Sequence, residues 1–147
     1  MNRNITLPFN NAVETSLRII VLLYRSYPSN LDMNKILYLD FLNVHYSDTD
    51  NIIEPIHPKS QNIDWEIFVR RDAIQEGLDL LFRKWLIEKL YLDEWVYYKI
   101  SDHGVPFIDS LDSNYSGRLI ENSKKIIDMF WDKEISFLDK VIKQIQH

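Results

Sequence analysis

Four histidines, His45, His57, His103 and His147, are the residues best placed to bind a metal or move a proton near neutrality. Zinc needs three or four converging ligands, and none of the four has a second histidine or a carboxylate pair at ligand spacing. His45 with Asp48 supplies two ligands at most. Cysteine is absent, which removes thiolate metal sites, thiol nucleophiles and disulfides. No serine sits in a Gly-x-Ser-x-Gly elbow, and nothing in the sequence marks a carboxylate pair as an acid and base. Phosphate-cradling loops need clustered glycines, whereas Gly77, Gly104 and Gly117 are scattered. The expectation is a chain with no catalytic residue, no metal and no cofactor; if ATP enters its biology, a partner binds it.

One polar pair stands out. Asp40 lies four residues after Ile36 and four before Val44, inside the apolar face of a helix that reads as buried. A buried carboxylate must be paired or hydrogen-bonded. Arg18, on the facing side of the preceding helix, is the expected partner, and the pair reads as structural, as does His45 one turn later.

The elements that position these residues follow from apolar spacing. Val13, Leu17, Ile20, Val21 and Tyr24 form one stripe of a first helix, capped by Asn11 with Glu14 reaching back and ended by Tyr27-Pro28. Asp32 caps a second helix running to about Tyr46, apolar nearly all round and therefore buried. Ser47 to Asn62 has no helical or alternating pattern; it reads as a loop pinned to the core by Ile52, Ile53 and Ile56, or as a loop that meets a partner. A third helix covers about Phe68 to Trp85, with Ile63 to Phe68 either a short strand or an earlier start. Two β-rich runs, 86–91 and 95–100, flank an acidic turn and predict a hairpin. Ser101-Asp102-His103-Gly104 opens a short helix, with Pro106 tolerated in its first turn.

Helix, helix, helix, hairpin, helix is the winged helix-turn-helix plan, and the run WLIEKLYLDEWVYYKISDHGVPFIDSL resembles the end of a recognition helix, a wing and the following helix in that superfamily. The fold expected is mostly α: a winged-helix domain over residues 1–112 and a helical tail over 113–147. The longest wholly apolar run, Ile19 to Tyr24, is far short of the roughly 20 residues that span a bilayer. With no secretory signal pattern at the start either, a cytoplasmic protein is expected.

Charge argues against reading DNA. The chain carries 17 basic and 22 acidic residues, and the excess of acid lies in residues 32–112, which hold eight basic and sixteen acidic side chains. The supposed recognition helix has Arg70, Arg71, Arg83 and Lys84 but also Asp72, Glu76 and Asp79, and the hairpin tip is Asp93-Glu94. Phosphate neutralisation by Lys and Arg dominates DNA affinity, so these carboxylates point to protein contact instead.

In the tail, Ile120, Ile127, Trp131, Ile135, Leu138, Ile142 and Ile145 form one stripe, and Leu119, Ile126, Phe130, Phe137 and Val141 a second beside it. It is either one helix or two broken at Asp132-Lys133-Glu134. This wide apolar face, with Phe130, Trp131 and Phe137 clustered and Arg118, Lys124 and Lys125 along its start, is the expected partner interface; the tail could instead fold back into the core or pair with a second copy.

A family likeness rests on LPFNNAVETSLRIIVLLYRSYPSNLDMNKILYLDFLNVHYSD, His57-Pro58, RRDAIQEGLDLLFRKWLIE, YYKISDHGVPFIDSLDSNYSGRL and the basic-apolar final helix. Together they resemble the middle component of bacterial ABC three-component systems, to which Lamassu-type defence against phage and plasmids is similar. The resemblance implies no catalytic residues. It implies a bridging subunit between an SMC-like coiled-coil ATPase and an effector, a nuclease being one candidate, with DNA reached only through the complex. The alternative from the winged-helix plan alone is a DNA-binding transcription regulator.

Overall fold

The computed structural model describes residues 12–45 and 63–145. The expected Asn11 cap, the 47–62 loop with its isoleucines, Asp48, His57 and His147 lie outside the described residues.

Helix α1 (Ala12–Ser26) is the central rod of the fold. Ile19, Ile20, Val21, Leu22 and Leu23 are consecutive and fully buried, and five residues at 3.6 per turn cover the whole circumference. Such a segment is stable only when packed on every side. Helix α2 (Met33–His45), α3 (Ile63–Arg83), a short α4 (Gly104–Asp109) and α5 (Asn114–Phe130) all pack against it. The single stripe expected for α1 is therefore too narrow: Val13 is exposed, while α3 and α5 bury the residues between.

Helix α2 is capped as its sequence requires, with the Lys35 amide donating to Asp32 Oδ1 at 2.8 Å. The third helix takes the earlier start at Ile63 and ends at Arg83, two residues before the expected Trp85. Gly77 sets its approach to α1, since a Cβ there would stand 2.9 Å from Ile19 Cδ1. Beyond α3, Trp85 adopts a φ of 65°, a conformation usually left to glycine after a helix. Ser101 Oγ donates to its carbonyl at 2.7 Å and accepts from the Gly104 amide at 3.1 Å. That one hydroxyl ties the end of α3 to the start of α4. Gly104 must lack a side chain, because a Cβ there would collide with the Leu86 carbonyl oxygen and Ile100.

Strands β2 (Ile87–Leu92) and β3 (Trp95–Ile100) form the expected hairpin, and a two-residue β1 (Leu31–Asp32) joins β3 on its other side, giving the antiparallel order β1-β3-β2. The turn residues Asp93 and Glu94 have φ of 49° and 70°, as a two-residue hairpin connection demands.

The tail is two helices. Ser113 caps α5 in a reciprocal box with Ser116, and the chain breaks across Trp131–Glu134 before α6 (Ile135–Ile145). Among the described residues no single long helix leaves the domain. Leu119, Ile126, Ile127 and Phe130 of α5 and Leu138 and Ile142 of α6 join one hydrophobic cluster with α1, α2 and α3. The break lets α6 lie on α2, where Tyr38 Oη meets Asp139 Oδ1 at 3.5 Å. A boundary between 112 and 113 thus separates elements that share a core. The tail's apolar surplus goes to covering α1, buried all round at Ile19–Leu23, and α2.

A candidate protein-interaction surface

The polar interior behind the surface is built on the expected pair. Arg18 Nε donates to Asp40 Oδ1 at 2.8 Å, and Asp40 is fully buried. Arg70 from α3 also reaches Asp40 Oδ2, at 3.4 Å, and donates to Glu66 at 3.1 Å. Glu66 in turn lies 2.9 Å from His45 Nε2, whose ring stacks on Phe41 with centroids 4.1 Å apart. Three helices are thereby joined through alternating charges. Arg70 escaped the sequence reading because it sits in a run of basic residues that looks like a solvent face; its spacing from Glu66, one turn before, was the available signal.

Burial pushes the Glu66 carboxyl up, but the His45 hydrogen bond and the Arg70 charge outweigh it and hold it below the ordinary 4.5. A carboxyl lowered on folding contributes stability that is present above its unfolded pKa and is lost as pH falls through its folded pKa. Glu66→Gln should therefore lower the melting temperature at neutral pH, with the gap to wild type closing as pH drops below 4.5. A gap as large at pH ~3, below the ordinary carboxylate range, would contradict this account.

Outside, the hairpin's two faces differ in use. Ile87, Tyr98 and Ile100 turn into the core. The opposite face carries the cross-strand pairs Leu92–Trp95, Leu90–Tyr97 and Glu88–Lys99. A solvated face of an antiparallel sheet normally alternates polar residues outward; here four of the six are apolar or aromatic. Trp95 is 61% exposed and Leu92 is exposed beside it. Tyr97 continues the strip into a groove of about 330 Å³ that it shares with Leu31, Trp131 and Ile135. Trp131, expected at the interface, is 45% exposed there. Asp32, Lys35 and Glu134 give the groove its charge. Burial holds the Lys35 ammonium below its usual range, opposed by Asp32 and Asp132.

The other expected interface residues divide. Phe130 is in the core, only 7% exposed, because the stripe it belongs to is the one that covers α1 and α2; it is withdrawn from the surface. Phe137 is exposed on α6 with Lys133 Nζ 5.7 Å from its ring centre. Arg118, Lys124 and Lys125 are exposed on α5, and Arg118 and Lys125 line an open depression together with Glu121, which tempers their charge. Trp95 and Leu92 were missed as surface residues. Period-two alternation measured from Ile87 and Ile100 would have put them outside.

On α3 the outward face is poor for phosphate. Arg70 is buried in the interior; Arg71, which donates to Asn34 at 3.0 Å, and Arg83 are exposed, but among the carboxylates Asp64, Asp72 and Glu76 and the aromatic Trp65 and Phe68. His103 lies exposed before α4. Among the described residues no three His, Cys, Asp or Glu side chains gather as a metal site, and no helix is long and apolar enough to cross a membrane.

Residues 8–147 match the family model of the ABC-three component (ABC-3C) system Middle Component 2. The chain belongs to that family. Neither a curated protein nor a solved structure matches it. For this middle component, membership places the exposed aromatic strip on a protein that works beside other components of one system.

Proposed function

We propose that this middle component is a non-catalytic adaptor, a winged helix turned from DNA to protein contact, that bridges an SMC-like coiled-coil ATPase and an effector in a Lamassu-type cytoplasmic defence against phage and plasmids. The carrying observation is family membership over residues 8–147. An outward sheet face that meets, at Tyr97, the groove lined by Trp131 supports the same reading, since an exposed apolar surface marks a partner site. Trp131 and Phe137, with Arg118, Lys124 and Lys125 on α5, remain the proposed contacts of the C-terminal helices. Dispersed glycines and unclustered histidines favour a role without turnover. Co-expression of the tagged full chain with the ATPase and effector of its own system tests the reading: both should be retained, and recovery of the tagged chain alone would refute it.

The regulator alternative draws on element order, and the carboxylates of α3 and the hairpin tip oppose it. Fluorescence anisotropy with duplex DNA in ~0.15 M salt should give only non-specific binding, with Kd at or above about 10⁻⁴–10⁻⁶ M. A sequence-specific nanomolar complex would establish the regulator instead.

A further inference from the structure

We infer that the hairpin's outer face takes a short segment of a protein partner in which one or two large apolar side chains are flanked by Lys or Arg. This rests on the adaptor reading and names the chemistry that reading lacks. The strip is ready-made: the Leu92–Trp95 pair and the Leu90–Tyr97 pair stand one two-residue step, about 7 Å, apart on one face, and Tyr97 opens into the groove holding Trp131. Its strands are paired in full register and one of them is also bonded to β1, so little ordering is required on binding.

Carboxylates stand at both ends. Asp93 and Glu94 form the tip beside Leu92 and Trp95, and both have positive φ. Asp93 suits such a turn, but at Glu94 glycine would cost less; an acid there adds negative charge against the strip despite the backbone preference. At the far end Glu134 and Asp32 line the groove. Lys35 in the groove faces Asp32 and Asp132, and Lys99 stands opposite Glu88 across the hairpin. Apolar in the middle and acidic at its ends, the surface complements an apolar segment with basic flanks and repels a nucleic-acid backbone.

The test uses the full chain with the ATPase and effector of its own system. A photo-crosslinking amino acid at Leu92 should join to a peptide of the ATPase or the effector that has Lys or Arg within a few residues of a large apolar side chain. Asp93→Lys with Glu94→Lys should slow association at least tenfold in low salt, with the difference shrinking as salt rises. Glu134→Lys, away from the turn, should act in the same direction and guards against a misfolded hairpin. If the complex assembles but position 92 joins a second copy, another part of the same chain, DNA or nothing, or if both charge reversals leave association unchanged, the inference is wrong. If the wild-type complex does not assemble at all, the adaptor reading itself fails.

Discussion

Asp40→Asn should destabilise the middle component by about 3–5 kcal/mol, the usual cost of removing one member of a buried ion pair. The change is nearly isosteric, so packing is preserved and the loss is electrostatic. Asp40 is fully buried and accepts from Arg18 at 2.8 Å and 3.2 Å and from Arg70 at 3.4 Å. Neutralising it leaves two guanidinium groups facing each other in a site both reach from different helices. For a domain of this size each kcal/mol moves the melting temperature by roughly 2–8 °C, so a fall of about 6 °C or more is expected. Thermal unfolding followed by circular dichroism checks it. A variant that melts within ~2 °C of wild type, less than 1 kcal/mol on that scale, would show that the carboxylate is not holding the three helices together.

Trp95→Ala combined with Trp131→Ala should leave the fold intact and weaken assembly with the partner components strongly. Trp95 is mostly in water and Trp131 lines an open groove, nearly half exposed, so their removal from the free protein creates no core cavity, and surface changes of this kind usually stay within about 0.5 kcal/mol. At an interface, truncating a tryptophan anchor commonly costs 2 kcal/mol or more, which is about 30-fold in Kd for one residue. Phe130→Ala is the informative contrast, since Phe130 is buried in the core. It should lower stability by about 3–5 kcal/mol while leaving the surface chemistry unchanged. Melting curves and titrations of the three proteins against the reconstituted partners separate the effects. If the double tryptophan variant binds like wild type, the sheet face and its groove are not the interface.

Much of the architecture was legible because local chemistry and global packing agree. Asp32 caps α2, the acidic turn closes the hairpin, and Asp40 sits where only a paired carboxylate is tolerated, so Arg18 could be named from helix faces alone. What stayed hidden depended on who covers whom. The tail offered two apolar stripes, and sequence cannot say whether such a stripe meets its own core or another protein; the uninterrupted Ile19–Leu23 run was the sign that α1 would need covering on every side. Once α5 supplies that cover, Phe130 belongs to the interior and Trp131, one residue on, belongs to the surface. The exposed aromatic strip was obscured differently: β-rich residues announced a hairpin, but which pleat faces out follows from register against α1 and α3. The end of α3 was misjudged because Trp85 takes a backbone conformation that sequence normally signals with glycine.

Bridging is tested most directly by omission. The tagged ATPase is mixed with the effector, with and without the middle component, and the eluted complexes are weighed by light scattering. The adaptor account requires the effector to be retained on the ATPase only when the middle component is present, and retention to fall when the Trp95→Ala, Trp131→Ala variant replaces it. Equal retention of the effector in the absence of the middle component would contradict it.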